Sequence, residues 1–314
     1  MMGGKILATI TTVRGQTVLQ RMNKYKAFYL MFLPVFLFYA LFHYWPMYGL
    51  RIAFFNYGIF GIKDFIGIDN FKTIFSDPLF FQAFRNTITI SFLKLLTGTA
   101  AAILFALLLN EVRTGLFKKF TQTVVYLPHF LSWPVVAALF ALFLSPDGGV
   151  VNQCLVKLGG KPFYFLISNK WWQPIFIMVN LWKETGWGAV IYLAALTGID
   201  PQLYEAAAID GAGRFRQTLN ITLPCLLNTI LVVFILNLAK VLDVFQPVFC
   251  MYNPQVYATA DVIDTYTYRI AFANAGGSDI DLSIAIGLFK SVIAMMLVLF
   301  SNYVTKKLKG ESIL

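Results

Sequence analysis

The sequence predicts an all-α fold: a polytopic membrane helical bundle of about six transmembrane helices with both termini cytoplasmic. Three observations carry this. Of the 314 residues, 58% are hydrophobic and only 13% charged, about half the charged share of a soluble domain. The apolar residues gather into blocks of roughly 20, the length a helix needs to cross ~30 Å of hydrocarbon. The blocks are also continuously apolar. A barrel strand would carry a polar residue at every second place, and a bilayer admits only helices or closed barrels as spanning structures.

The blocks fall near residues 27–48, 86–109, 122–144, 174–197, 223–249 and 281–304. Placing both termini on one side collects thirteen Lys and Arg there against five acids, and leaves eight against eight on the other side. Lys and Arg in short loops mark the cytoplasmic face. The net charge of +10 therefore reads as membrane topology, with no nucleic-acid partner. The chain divides into a basic arm (1–26) suited to an anionic inner leaflet, a transmembrane domain (27–304) and a short tail (305–314). The first apolar block is longer than the core of a signal peptide and lacks a small-x-small cleavage site, so it is expected to be retained.

The first span ends at Trp45-Pro46, with His43, Tyr44 and Tyr48 at interfacial depth. In the outer segment 49–85, GIDNFKTIFSDPLFFQAFRNT predicts a short surface helix, and Ser76-Asp77-Pro78 caps a second helical start. Pro128 and Pro134 free carbonyls and bend the third span. The outer loop 145–173 has turn chemistry at Ser145–Gly149 and Gly159-Gly160, and is a candidate surface for an external partner. Cys154, Cys225 and Cys250 have no metal-like spacing. A Cys154–Cys250 bridge is one reading, three unrelated thiols the favoured one.

Between spans four and five lies a polar, amphipathic segment. Asp200 stands at an N-cap position with Pro201 at the first helical residue. Leu203, Ala206, Ala207 and Asp210 follow at helical spacing, and Asp210-Gly211 and Gly213 break the helix. Arg214 opens a second helical piece leading to Pro224. The stretch Glu205–Pro224 reads EAAAIDGAGRFRQTLNITLP. Its E-A-A, Gly211 and Ile221-x-Leu223-Pro224 resemble the signature loop of permease subunits in ATP-binding-cassette importers. TVVYLPHFLSW (123–133), LWKETGWGAVIYLAALTGIDPQLYEAAAIDGA (181–212), DTYTYRIA (264–271) and IGLFKS (286–291) are similar to the oligosaccharide and polysaccharide branch.

The resemblance runs from about residue 25 to the C-terminus and implies the type I importer permease fold in a bacterial cytoplasmic membrane. It implies a second homologous permease, two ATPase subunits that bind ATP and Mg, an extracellular or periplasmic solute-binding protein and an oligosaccharide substrate. Glu205, Ala206, Ala207, Asp210, Gly211, Ile221, Leu223 and Pro224 would dock the ATPase. The alanines would allow close approach, Glu205 would pair with a basic residue, and Gly211 would permit the turn.

Several motifs are missing from the chain. Gly159-Gly160-Lys161 is followed by Pro162 and opens no phosphate-binding helix. No nucleophile–base constellation or zinc motif occurs, and the two histidines, His43 and His129, read as interfacial or interior hydrogen-bonding residues. The expectation is a transport subunit with no cofactor or metal of its own. A secondary transporter would explain charges within the membrane but not the loop, and no inverted repeat is visible. A membrane enzyme acting on lipid-linked sugars would need a catalytic cluster at one interface. A permease of this class for another solute remains compatible with the loop.

Six ionisable residues fall within spans: Lys94, Lys183, Glu184, Lys240, Asp243 and Lys290. Each costs about 2.5–3.5 kcal/mol at mid-bilayer. Lys240 and Asp243 share a helical face and can pair, whereas Lys183 and Glu184 diverge and seek partners elsewhere. Sugars need hydrogen-bonding groups and aromatic faces. Asn180, Lys183, Glu184 and Trp187 in span four, with Asn237, Lys240, Asp243 and Gln246 in span five, supply both and are the substrate-pathway candidates. The competing reading is interhelical hydrogen bonding. Lys94 and Lys290 read as structural.

Overall fold

The computed structural model describes residues 24–58, 61–112, 115–272 and 279–309. Most of the basic arm, and the tail from residue 310, lie outside them. The chain divides into two units, 1–52 and 53–314. In the first, α1 (Lys26–Tyr39) has no buried side chain, as an apolar helix solvated by lipid permits. It passes through a π-turn at Ala40–Tyr44 into Trp45-Pro46, within a helical run Lys26–Phe54 long enough to cross a membrane.

The second unit opens with a feature the all-helical expectation missed. Strands β1 (Phe55–Gly58) and β2 (Gly61–Phe65) form an antiparallel hairpin, in which Gly61 takes φ +102°, a conformation glycine adopts at little cost. A short helix, α2 (Asp69–Ser76), follows as expected. Asp77 caps the next helix, its carboxylate accepting from Leu79 N at 2.8 Å, with Pro78 at the first position. That helical start is not a separate piece: α3 (Pro78–Asn110) runs unbroken for 33 residues. No competing turn chemistry interrupts its first two turns.

The third expected span is two arms. α4 (Gly115–Tyr126) continues as a 3₁₀ turn to Phe130, and α5 (Trp133–Leu144) leaves at 105° to it. Leu131 and Ser132 are extended at the break, which Pro128 and Pro134 flank. α6 (Val150–Lys157) lies in the following loop. α7 (Asn169–Leu196) has 28 residues, or about 42 Å at 1.5 Å per residue. It has spanning length, yet Lys183 and Glu184 interrupt its apolarity. Among the described residues, four helices are long and apolar enough to cross a membrane, five if the bent pair is one span.

After α8 (Pro201–Ile209) and α9 (Arg214–Gln217), a π-turn at Thr218–Thr222 leads into α10 (Leu223–Ala239). The expected span 223–249 is not one helix. It leaves helical geometry at Lys240, where φ is −109° and ψ 8°, and resumes as α11 (Phe245–Met251). α12 (Tyr257–Ala260), α13 (Ile263–Phe272) and α14 (Ile280–Lys309) complete the chain. All three cysteines are free.

Polar ties fix the segment 252–272, with α12 and α13, to α3. The Asn86 amide donates to the carbonyls of Ala258 and Asp261 at 3.1 and 3.0 Å, and Thr87 Oγ1 accepts from Ile263 N at 2.8 Å. Tyr266 donates its hydroxyl to the Asp77 carboxylate. Arg269 pairs with Asp261 at 2.6 Å and lies over the Tyr257 ring. Burial, then the neighbouring Tyr257 and Asp261, push the Tyr252 hydroxyl up to about 12.

α3 and α7 pack through small residues. Ala102, Ala106 and Ala189 are fully or almost fully buried, and a Cβ placed on Gly188 would lie 3.2 Å from that of Ala102. This is how membrane helices approach closely when no hydrophobic driving force separates helix from lipid.

Candidate functional site

One turn of α7 holds the break in the bent span. A helix leaves its last carbonyls without intrahelical partners, and at membrane depth no water satisfies them. Lys183, 4% exposed, does so. Its ammonium donates to the carbonyl oxygens of Pro128 at 3.4 Å, His129 at 2.6 Å and Leu131 at 2.9 Å. Glu184 Oε2 sits 2.8 Å from His129 Nδ1, and its Oε1 is 3.6 Å from Lys183 Nζ. The Trp187 ring stacks on His129, centroids 4.6 Å apart and 2° from parallel. A Cβ on Gly186 would meet the Val125 carbonyl oxygen at 2.2 Å, so only glycine admits the α4 backbone there.

This corrects the expectation for Lys183. Its charge is committed to backbone carbonyls, and it does not line the cavity described next. As expected, Lys183 and Glu184 each find a partner outside their own helix. The expected hydrogen-bonding role of His129 is also met, through Glu184.

A cavity of about 420 Å³ lies between α3, α7 and α10, with Trp133 of α5, the 240–243 turn and the first turn of α11 adding to its wall. Seven of the eight pathway candidates line it: Asn180, Glu184, Trp187, Asn237, Lys240, Asp243 and Gln246. Lys240 and Asp243 meet there without the expected pairing. The helix ends between them, with Asp243 N bonded to Lys240 O at 3.0 Å, and no ion pair joins them among the described residues.

Lys94 also lines the cavity, contrary to its structural reading. A lone lysine followed by Gly98 and Ala102 at four-residue spacing marks one helical face, and all three are wall residues. Lys290 keeps a structural role, paired with Asp264 at 2.5 Å. Trp133, Tyr192 and Thr99 had no distinguishing sequence signal. The Tyr192 hydroxyl and Thr99 Oγ1 are buried without a hydrogen-bond partner among the described residues, although Tyr192 is 1% exposed and both line the cavity.

The second site is the loop after α7. Asp200 accepts from Gln202 N at 2.9 Å, capping α8 as expected, and Pro201 is its first residue. Gly211 takes φ +75°, and Ala212 N returns to Ala207 O at 2.8 Å, closing the helix with the left-handed cap that favours glycine. Glu205, Ala206, Asp210 and Gly211 are exposed and Ala207 is half-buried. Ile221, Leu223 and Pro224 carry the chain through the π-turn into α10.

One contact closes the loop on itself, Tyr204 Oη with Thr222 Oγ1 at 3.0 Å, and one ties it to the end of α3, Arg214 with Glu111 at 3.0 Å. Ile209 and Phe215, 87% and 77% exposed, give this polar surface two apolar projections that the motif does not specify.

Residues 94–309 match the family model for the binding-protein-dependent transport system inner membrane component. The chain is 41% identical to the polygalacturonan/rhamnogalacturonan transport system permease protein YteP of Bacillus subtilis (strain 168), over 94% of this chain and 92% of that protein. It also aligns with the crystal structure of a bacterial ABC transporter involved in the import of the acidic polysaccharide alginate, at 40% identity and a TM-score of 0.87, covering 94% of this chain and 100% of that one. The same values of identity and TM-score hold for the alginate transporter in complex with its periplasmic protein bound to an alginate pentasaccharide, over 95% of this chain and 100% of that one.

Proposed function

Because this chain belongs to the family of binding-protein-dependent transport system inner membrane components, we propose that it is the permease subunit of an ATP-driven importer of oligosaccharides. It forms half of the translocation pathway beside a second, homologous permease in a bacterial plasma membrane, with both termini in the cytoplasm. A binding protein delivers the sugar to the outer loops. Two separate ATPase subunits bind ATP and Mg and dock on Glu205–Pro224. The chain itself catalyses no reaction; it converts movement of the docked ATPase into rearrangement of the pathway wall.

One observation carries this reading. The exposed helix α8 is placed between α7 and α10, and both of those helices wall the cavity. A push on α8 would therefore reach α7 and α10 through covalent continuity, stiffened by the Tyr204–Thr222 bond, and α3 through the Arg214–Glu111 pair. The saccharide class is supported by the relatives, whose names specify polygalacturonan, rhamnogalacturonan and alginate.

The test is uptake in cells and in the reconstituted complex. Uptake should survive ionophores and stop when the partner ATPase is deleted; the reverse pattern would identify an ion-driven carrier. Glu205→Lys should leave the subunit inserted and assembled, with transport-coupled ATP hydrolysis reduced at least about tenfold, the worth of one charge-assisted contact. Normal coupling in that variant would remove the docking role.

A further inference from the structure

Resting on the transport reading above, we infer that His129 is a positioning residue of the pathway. Its imidazole holds Glu184 and Trp187 in the cavity wall, and its protonation makes the transport cycle pH-dependent. His129 stands at the break of the bent span, in the 3₁₀ turn Leu127–Phe130, and does not itself line the cavity, whereas Glu184 and Trp187 do. Its Nδ1 lies 2.8 Å from Glu184 Oε2, and its ring lies parallel on that of Trp187, centroids 4.6 Å apart. Phe130 packs edge-on against both rings, at 5.6 and 6.0 Å. One side chain of the break thus reaches two wall residues on one turn of α7.

Both neighbours respond to a charge on the imidazole. A carboxylate holds a cationic donor about twice as strongly as a neutral one, and an indole face attracts a cation. The charges around the ring are Glu184 and, 3.6 Å from it, Lys183, both on α7. Beyond them Lys94 of α3 is within electrostatic reach of Glu184 and Asp243, and Lys240 and Asp243 stand on the same wall. Of all these groups only the imidazole is of a type that ordinarily changes charge between about pH 5 and pH 8. Protons can reach it, since Glu184 is 37% exposed and faces the cavity. Nδ1 donates to the carboxylate, so the second proton adds at Nε2. The cationic ring clamps carboxylate and indole to the break, whereas the neutral ring keeps one ordinary hydrogen bond and a stack. The wall is therefore stiffer at acid pH, and rearrangement of the pathway is slower there.

The experiment uses the complete transporter, both permeases and both ATPases, in lipid nanodiscs. Trp187 emission, taken as the difference between wild type and Trp187→Phe, is followed from about pH 8 to about pH 5, the range in which histidine titrates. A cationic imidazole stacked on an indole quenches it by accepting an electron from the excited ring. The emission should therefore fall on acidification, and His129→Gln should abolish the fall. ATP hydrolysis by the same particles should slow on acidification. The ratio of rates between the two ends of the range should be about fivefold to tenfold larger in wild type than in His129→Gln, the difference between a neutral and a charge-assisted hydrogen bond. Glu184→Gln keeps the imidazole and the shape of the wall; it should flatten the rate ratio and leave the quench in place, a division that disturbed packing would not produce. Emission that is constant with pH, a quench that persists in His129→Gln, or a rate ratio that neither variant changes would each overturn the role of His129. The carbohydrate-import reading would survive any of these results, because it is tested at Glu205 and by ATPase deletion.

Discussion

Lys183 donates its ammonium to the carbonyl oxygen of His129 at 2.6 Å, across 54 residues of sequence. The bond explains how a 105° bend is tolerated in an apolar span. Where α4 stops, its terminal carbonyls lack intrahelical donors, and leaving them buried and unpaired would cost about 1–3 kcal/mol each. The ammonium takes the place of the missing backbone donors, and the carbonyls in turn offset the desolvation of a buried charge. Each defect makes the other affordable.

Lys183→Met tests this directly, since methionine has similar length and no charge. It leaves at least two carbonyls without their donor, and the transporter should lose about 2 kcal/mol of stability, the cost of unsatisfied buried acceptors less the relief of removing a buried cation. A lowered midpoint of thermal unfolding in detergent is the expected result. An unchanged midpoint would mean that the carbonyls are satisfied without Lys183.

Two glycines give a matched pair. At Gly186 an added methyl meets the Val125 carbonyl oxygen at 2.2 Å, whereas at Gly287 nothing lies within 4 Å. Gly186→Ala should force α4 and α7 apart and cost about 1–3 kcal/mol. Gly287→Ala should stabilise α14 by about 0.5–1 kcal/mol through backbone entropy. The same unfolding assay reads both, and equal effects would contradict the packing at the break.

Alkaline stability should depend on Tyr252. Its folded pKa is pushed up to about 12 by burial first and then by Tyr257 and Asp261, against about 10 when unfolded. Folding favours the neutral phenol. The contribution is therefore complete below pH ~10 and is lost as the pH rises from ~10 to ~12. Tyr266, raised by burial and by its bond to Asp77, acts in the same direction. The unfolding midpoint should fall over that window, and Tyr252→Phe should flatten the fall. A variant that loses stability as steeply as the wild type would assign the effect to other groups.

Local chemistry was legible in the sequence wherever a few adjacent residues determine it. The cap at Asp200, the left-handed turn at Gly211 and the proline-bent span each depend on near neighbours, and each stands where expected. Polar residues within apolar blocks converged on one cavity for a general reason: charges avoid lipid and turn inward.

What depended on distant partners was not legible. Lys183 reads like any other intramembrane lysine until the break at 128–131 is seen against it. The loss of helix at Lys240–Asp243 has one local signal, Pro247, whose ring excludes a helical bond to the carbonyl four residues earlier; read without it, a helical face was assigned to residues that lie in a turn. The hairpin strands, Phe55–Gly58 and Gly61–Phe65, have too few residues to establish a period.

The sequence separation of the Lys183 contact also bears on how the protein is made. The carbonyls at Pro128–Leu131 leave the ribosome 52–55 residues before the ammonium that satisfies them. At about 5–20 residues per second, several seconds of synthesis separate the two. Throughout that interval the carbonyls of His129 and Leu131 lack the donor that Lys183 later supplies. A chain truncated before Lys183 would keep those carbonyls without that donor, so α7 completes the bent pair as well as walling the cavity.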